Sequence, residues 1–453
     1  MKDIINDVRP FRAHHYNPLK IDNIGACLTQ PYDVISPEQQ EEYYQQHKYN
    51  IIRLILGKSE TSDNEHTNQY FRAREYMKKW CAEDIIHKTV RNSFWVYEQE
   101  FELPEAGKRK VKGFIGNVRL HDYNEMRILP HEKVLQGPLV DRIKLTKITN
   151  TQFEYIWGIY QDKGFVIDDI LDECEQESPI LDYLEATVSV RHKLWRLVDP
   201  AKCHLIYETM QHCKIYIADG HHRYQTMLHI RDEYRKKYPD AGPDAPWEFI
   251  MMFLVNTEHE GLSILPTHRA LYNLSIDNWD NIIYAIEEHF HVKRYTWDEH
   301  SEADVRKKWL EHLKTDAEGE NKFGLYIARQ KCYFLLTLKD SEAYEELVKL
   351  DRSSEWKRLD VNIVNYLIFK QILGISEEQL AMNTNLRYIV DPHEAVNSVT
   401  RGHMQAVVIL NSTKLSDVIA ISNNKEVMPR KSTFFYPKPV SGLVMYSMDR
   451  NDK

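Results

Sequence analysis

The sequence predicts a mixed α/β fold, α+β in its arrangement, organised around a large mixed sheet. Apolar runs of strand length, such as residues 249–255, alternate with segments whose apolar side chains recur at helical spacing, such as residues 221–237. The chain has 453 residues and is 42% hydrophobic, enough for two or three separate cores. Its 16 glycines and 17 prolines are few for that length, which leaves little room for long flexible linkers.

Taken in order, Ser36 stands before a polar stretch, 38–47, as a helix cap does. Residues 70–86, with Phe71, Tyr76 and Trp80, predict a longer helix. Residues 94–101 alternate apolar and polar side chains and predict a half-buried strand. Residues 214–218 predict a strand, which Asp219-Gly220 breaks. A helix follows over 221–237, with Met227, Ile230 and Tyr234 on one face. Residues 249–255 predict a buried strand, leading into a loop at Leu265-Pro266-Thr267-His268-Arg269. Further on, 302–315 and 341–349 read as charged helices and 361–373 as an apolar helix ended near Gly374. Residues 404–410 predict a strand, 414–422 a helix and 442–446 a last strand. Composition shifts divide the chain into an N-terminal α/β segment contributing to a cleft (1–120), a central domain (121–275), and a C-terminal α/β region (276–453) with a basic, aromatic closing loop.

The 59 basic residues are outnumbered by 68 acidic ones, a formal net charge of -9. That balance argues against a general nucleic-acid role, although it leaves room for a local basic patch. No run approaches the roughly 20 apolar residues that span a bilayer. The opening Met1-Lys2-Asp3-Ile4-Ile5-Asn6-Asp7 has no apolar core of a signal peptide. The six cysteines are scattered without a Cys-x-x-Cys pair, as suits reduced thiols. The expectation is a soluble cytoplasmic protein without a membrane partner; an oligomer stays open.

The most informative segment is Ile215-Tyr216-Ile217-Ala218-Asp219-Gly220-His221-His222-Arg223-Tyr224. Gly220 permits a sharp turn and keeps a side chain out of a ligand's way. The helix that follows begins with unpaired amides and the positive end of its dipole, where phosphate binds well. Arg223 can add a forked contact to an anion. Asp219 can hold magnesium or accept a proton, and of the histidines His221 and His222 one can face the ligand while the other supports the fold. The plain alternative is a capped helix, with Asp219 as the cap.

Other residues extend this reading. His131 and Glu132 can supply a general acid or base, and Glu132 a second magnesium ligand, although the segment lacks the second histidine of a zinc-protease helix. Arg142 can clamp a carboxylate or phosphate, or serve an internal salt bridge. Thr267, His268 and Arg269 can contact the same anion as Arg223. Lys431, Ser432 and Thr433 sit in a basic, hydroxyl-rich and aromatic stretch, 429–438, which can close over a nucleotide; it lacks the glycines of a P-loop. Arg9, Arg12, Tyr32 and Asp33 are further candidates for the cleft. Glu287-Glu288-His289-Phe290-His291 would place two histidines on one face if extended.

Several of these pieces together carry a resemblance. Arg9-Pro10-Phe11-Arg12, Pro31-Tyr32-Asp33-Val34-Ile35-Ser36, His131-Glu132-Lys133, Gly137-Pro138-Leu139-Val140-Asp141-Arg142, the segments 218–224 and 265–269, and the stretch 428–438 are similar to those of the domain-of-unknown-function 1015 family of bacteria and archaea. A shorter resemblance joins Gly220-His221-His222-Arg223 to the Gly-x-His-Arg turn of the ParB/sulfiredoxin superfamily, which includes sulfiredoxins, CTP-dependent partition proteins and free-serine kinases. These resemblances imply a phosphate-binding strand-turn-helix and phosphoryl transfer, or phosphate-ester hydrolysis, on a small metabolite. Family members are often encoded near serine-biosynthesis enzymes, which points to serine or phosphoserine. Magnesium and ATP or ADP are the implied cofactors. Asp219, His222, Glu132 and His131 would do the chemistry; Gly220, His221, Arg223, Arg142, Thr267, His268, Arg269, Lys431, Ser432 and Thr433 would hold the ligand. Two other readings stay open: a nucleotide-binding regulator resembling CTP-dependent partition proteins, and a metabolite-binding module without catalysis.

Overall fold

Nine strands among the described residues join into one mixed sheet: β1 (Val8–Arg9), β2 (Phe94–Leu103), β3 (Gly107–Arg119), β4 (Ile128–Leu129), β5 (Ile156–Tyr160), β6 (Leu181–Glu185), β7 (Val190–Leu197), β8 (Ile215–Asp219) and β9 (Phe249–Asn256). This computed structural model describes residues 5–104, 107–134, 136–276, 278–298, 300–315, 320–328 and 330–450. The spatial order is β4-β8-β5-β9-β3-β2-β7-β6, and β1 pairs with the end of β3. β8 runs parallel to β4 and antiparallel to β5; β9 runs parallel to β5 and antiparallel to β3.

β9 is central and buried along its whole length. Ile250, Met252 and Leu254 join a core with Val96 and Phe114, while Phe253, on the alternate side, packs against Tyr97 (5.0 Å between ring centroids) and Trp157 (5.8 Å). Burial on both faces is what an unbroken apolar strand requires. The same two layers bury Phe94, Trp95, Val96 and Tyr97, so β2 is covered on both sides rather than half-buried.

The longer helices that accompany the sheet are α1 (Pro37–Gln46), α2 (Gln69–Ala82), α3 (Gln136–Thr149), α4 (Val166–Cys174), α5 (Pro200–Gln211) and α6 (His221–Lys237). Ser36 and Gln39 form a reciprocal capping box at the start of α1. α2 stops before residue 86, because Ile86–Lys88 pairs as a strand with His14–Tyr16. Ile167 and Ile170 of α4, Ile206 and Met210 of α5, and Tyr224, Met227 and Ile230 of α6 enter the core with the sheet.

The chain divides into two units, Met1–Ser263 with Pro437–Lys453, and Ile264–Tyr436. Residue 120 lies within the first unit rather than between units: β3 is hydrogen-bonded to β9 on one side and β2 on the other. Residue 275 lies within the second unit, where the strands of a six-stranded sheet begin at residue 268. They are β10 (His268–Leu271), β11 (Phe290–Thr296), β12 (Lys322–Ile327), β13 (Cys332–Leu338), β14 (Leu386–Ile389) and β15 (Ala406–Ile409), antiparallel in the order β11-β13-β12-β15-β10-β14. Its helices include α7 (Trp279–His289), α8 (Glu302–Lys314), α9 (Pro392–Thr400) and α10 (Leu415–Asn423). Alternate residues of β12 enter different cores. Phe323 and Leu325 bury with Ile283 and Ile286 of α7, whereas Tyr326 buries with Trp309 of α8 and Val396 of α9.

Three local readings change. Residues 361–373 form a short α-helical turn, Asp360–Ile363, that passes into π-type hydrogen bonding over Val364–Ile372. The last strand shrinks to Tyr446–Ser447, paired with Thr151–Gln152, after Gly442 breaks the extended path at φ +99°. His289 ends α7 while His291 lies exposed on β11, so the two histidines share no face. No disulfide joins the cysteines among the described residues, and four of the six are buried. No helix among the described residues is long and apolar enough to cross a membrane.

Candidate functional site

The turn after β8 is shaped by two backbone irregularities. Opposite β5, Ile217 faces Gly158 and Asp219 faces Trp157, so Ala218 is the extra residue of a β-bulge. Bulges bend a strand and re-aim the side chains beyond them. Gly220 then takes φ +95°, ψ +27°, a left-handed conformation in which a β-carbon would lie 3.0 Å from Arg223 Nε. The chain enters α6 directly. Gly220 is the N-cap and, having no side chain, accepts nothing from the first-turn amides. Asp219 therefore does not cap α6.

Its carboxylate is spent on two cations instead. Oδ2 accepts from Arg223 Nη2 at 2.7 Å, and Oδ1 accepts from Lys438 Nζ. Burial pushes this carboxyl up, but Lys438 and Arg223 outweigh it and hold Asp219 well below the usual carboxylate range. Arg223 also donates Nη1 to the Tyr155 carbonyl at 2.6 Å. Burial works against the guanidinium's charge, yet Glu154, Asp219 and Asp33 raise its pKa further. Lys438 is delivered by the returning C-terminal segment. Gln99 donates to the Lys438 carbonyl (3.1 Å), the Val440 amide donates to the Tyr97 hydroxyl (3.3 Å), and the Tyr155 hydroxyl donates to the Val440 carbonyl.

The two histidines of the turn divide their work. His221 is buried, and its Nε2 accepts from the His131 amide at 3.2 Å, which leaves the ring proton on Nδ1, 3.9 Å from Glu132 Oε2. The His131 ring stands edge-on to it, centroids 4.6 Å apart. Burial above all pushes both imidazoles down to about 3. Both are thus neutral and packed within the fold at ordinary pH. His222 is half-buried, as are Glu132 and Arg223.

Arg142 lies on α3, where the sequence showed only a polar stretch. It is buried, donates Nε to Asp141 (2.8 Å) and Nη1 to the Ile55 carbonyl (2.8 Å), and stacks 4.0 Å over the Tyr32 ring. Glu154 lies 3.6 Å from it and accepts from the Tyr32 amide (3.2 Å) and the Ser441 hydroxyl (3.0 Å). The Arg142 fork is thus engaged inside the protein. Arg142, Glu154, Arg223 and Thr226 line a cavity of about 40 Å³, room for little more than a water-sized group.

The remaining expected residues lie in the second unit and form a cluster there. Thr267, His268 and Arg269 are buried, and the last two open β10 instead of sitting in a loop. Arg269 donates to Thr267 Oγ1 (2.6 Å) and to the Lys431 carbonyl (3.0 Å), and lies 4.8 Å from the Tyr388 ring. Burial pushes its guanidinium down to about 10 and the His268 imidazole down to about 3. His268 Nδ1 accepts from the Leu410 amide at 3.2 Å. Lys431 is exposed at φ +56°, Ser432 is buried and donates to the Pro429 carbonyl (2.6 Å), and Thr433 is half-buried.

Magnesium held by Asp219 and Glu132 does not fit this arrangement. Both Asp219 oxygens face cations, and no group of three or more His, Cys, Asp or Glu among the described residues is placed to hold a metal. Sequence reasoning missed Glu154, and it left Lys438 unconnected to the turn. The Asp219–Lys438 contact spans 219 residues, so no local pattern announces it.

Among solved structures, the chain is similar to a free serine kinase in complex with AMP, at 13% identity and a TM-score of 0.31, covering 68% of this chain and 83% of that one. It is also similar to a conserved hypothetical protein from Pyrococcus furiosus (14% identity, TM-score 0.30, 68% and 87% covered). A third is SbnI with a C-terminal truncation from Staphylococcus aureus (9%, 0.36, 75% and 90%). No curated protein matches the chain significantly. The family model for proteins of unknown function DUF1015 matches residues 8–362, and the chain belongs to that family.

Proposed function

We propose that the Gly220 turn binds a phosphate group and that the protein transfers or hydrolyses phosphoryl groups on a small metabolite, with serine or phosphoserine as the substrate pair. One observation carries this reading: a helix start whose cap is a left-handed glycine has Arg223 and Lys438 gathered beside it on a single carboxylate. Amides and cations in that arrangement favour an anion. An arriving phosphate would take over Arg223 and Lys438 from Asp219, and the released carboxylate, with half-buried His222 and Glu132 nearby, would be free to accept a substrate proton. ATP or ADP is the phosphoryl partner in this scheme. Magnesium enters as the ion that accompanies nucleotide phosphates rather than as a resident of an all-protein site. In the second unit, Arg269, Thr267 and Lys431 are proposed as a further anion contact.

The test is turnover of serine with ATP or ADP, and of phosphoserine alone, by the full chain and by Asp219→Ala, His222→Ala and Arg223→Ala. Loss of at least about 100-fold is expected in each variant. Equal turnover in all four proteins would remove the assignment. A second reading, nucleotide binding without chemistry, draws on the pairing of both Asp219 oxygens. Calorimetric binding of ATP or CTP with no product under any divalent metal would select it.

A further inference from the structure

A much larger cavity, about 1330 Å³, opens at the other end of α6, and none of the turn residues lines it. From Gly220 to Tyr234 the helix rises about 20 Å. The cavity's charge is unlike that of the chain. Arg9, Arg12, Lys88, Lys147, Lys237 and Arg450 line it against two carboxylates, Asp244 and Asp449, in a protein of net charge -9. Some of these cations are neutralised at home: Arg9 pairs with Asp7 and Asp244, and Lys147 with Glu233. Arg12, Lys237 and Arg450 make no ion pair with a carboxylate among the described residues; Arg12 gives its Nε to the Thr89 carbonyl at 2.9 Å.

The cations are interleaved with rings. Arg450 lies over Tyr238 (5.6 Å) and Trp247 (5.9 Å), Lys237 over Tyr238 (5.1 Å), and Arg9 over Phe249 (5.1 Å). A guanidinium laid on a ring keeps its donor edge free for phosphate oxygens. Tyr238 and Tyr446 are half-buried at the groove wall. Two amide oxygens in the wall, Asn117 Oδ1 and Asn150 Oδ1, are buried without a hydrogen-bond partner among the described residues; Asn117 itself is 4% exposed. Leaving a buried acceptor unmet costs free energy, so an occupant with a donor is favoured there.

We propose that this groove binds a short stretch of single-stranded nucleic acid. Phosphates would lie on Arg12, Lys237 and Arg450, and bases against the tyrosines. The groove exceeds the roughly 300–1,000 Å³ of small-molecule pockets, which suits a chain-like ligand. A duplex is the wrong shape for it, because duplex readers push a helix or ribbon outward into a groove of the nucleic acid. An acidic peptide would meet the cations but has no use for the rings.

The experiment is fluorescence anisotropy of labelled single strands of about 10 nucleotides, RNA and DNA, with the full chain at roughly 50 and 200 mM salt. A duplex of equal length and a poly-glutamate peptide compete. The expected result is single-strand binding that weakens with salt and falls at least tenfold in Lys237→Glu/Arg450→Glu, whose charges are exposed. Should that double variant melt early, Arg12→Glu is read in the same way. Unchanged affinity in the charge-reversed protein, competition by duplex or poly-glutamate as strong as by the single strand, or no binding at the lower salt would each overturn the proposal.

Discussion

Asp219 is the residue on which the turn depends. Its carboxylate neutralises two largely buried cations, so Asp219→Asn leaves Lys438 and Arg223 without their shared counter-ion. We expect unit Met1–Ser263/Pro437–Lys453 to lose about 3 kcal/mol in urea unfolding. Because the folded carboxyl is held below its ordinary value, its contribution is fully present above about pH 4 and fades only as pH falls beneath the usual carboxylate range. The histidines set a different limb. His131 and His221 are held down to about 3 in the fold, whereas unfolded imidazoles titrate near 6.5. Their neutral burial is therefore stabilising above about pH 6.5 and is lost progressively on acidification, at about 1 kcal/mol per pH unit for each ring. In His221→Asn the urea midpoint should fall less steeply between roughly pH 6 and pH 4; an unchanged slope would show that His221 takes up its proton while folded. The bend itself was legible at this scale, since a glycine between a strand and a helix announces a left-handed turn by type. The role of Asp219 was not, because the sequence suggested a metal ligand where the fold placed a counter-ion.

Elements were legible where burial follows a simple period. α6 buries residues 221, 224, 226–228, 230, 231 and 234, a broad stripe at helical spacing, and the expected bounds match. β9 reads as buried because no polar residue interrupts it before Asn256. β3 escaped notice for the opposite reason. Its outer half, Lys108-Arg109-Lys110, is charged, and Lys112 is buried only because Asp172 and Glu175 neutralise it. The first turn of α3 contains Gly137-Pro138, which reads as a turn, although proline is tolerated in a first helical turn. The sheet makes one demand that a single substitution can probe. A β-carbon on Gly113 would sit 2.2 Å from the Leu254 carbonyl oxygen, so Gly113→Ala forces β3 away from β9. The expected outcome is a loss of several kcal/mol, about 3 or more, or failure to recover soluble protein; a thermal melt equal to the wild type would contradict the packing described.

At the scale of the whole molecule, the second unit is written into the middle of the first. Nothing in the sequence marks the two crossings at 263/264 and 436/437, which carry no glycine-rich or low-complexity linker, so the divisions at 120 and 275 followed composition instead. Ile264–Tyr436 has its own six-stranded sheet and cores on both of that sheet's faces. Residues 264–436 expressed alone should therefore unfold cooperatively, as followed by circular dichroism in urea. A featureless spectrum would mean that this unit depends on the rest of the chain.

Lys438 also imposes a schedule. Asp219 leaves the ribosome 219 residues ahead of its partner, a delay on the order of 10–40 s at ordinary elongation rates. Throughout that interval the nascent turn has Arg223 beside its carboxylate but not Lys438, so the pairing is half made. The first sheet gains its full charge balance only once residue 438 has emerged, and until then the turn is expected to stay open to proteases.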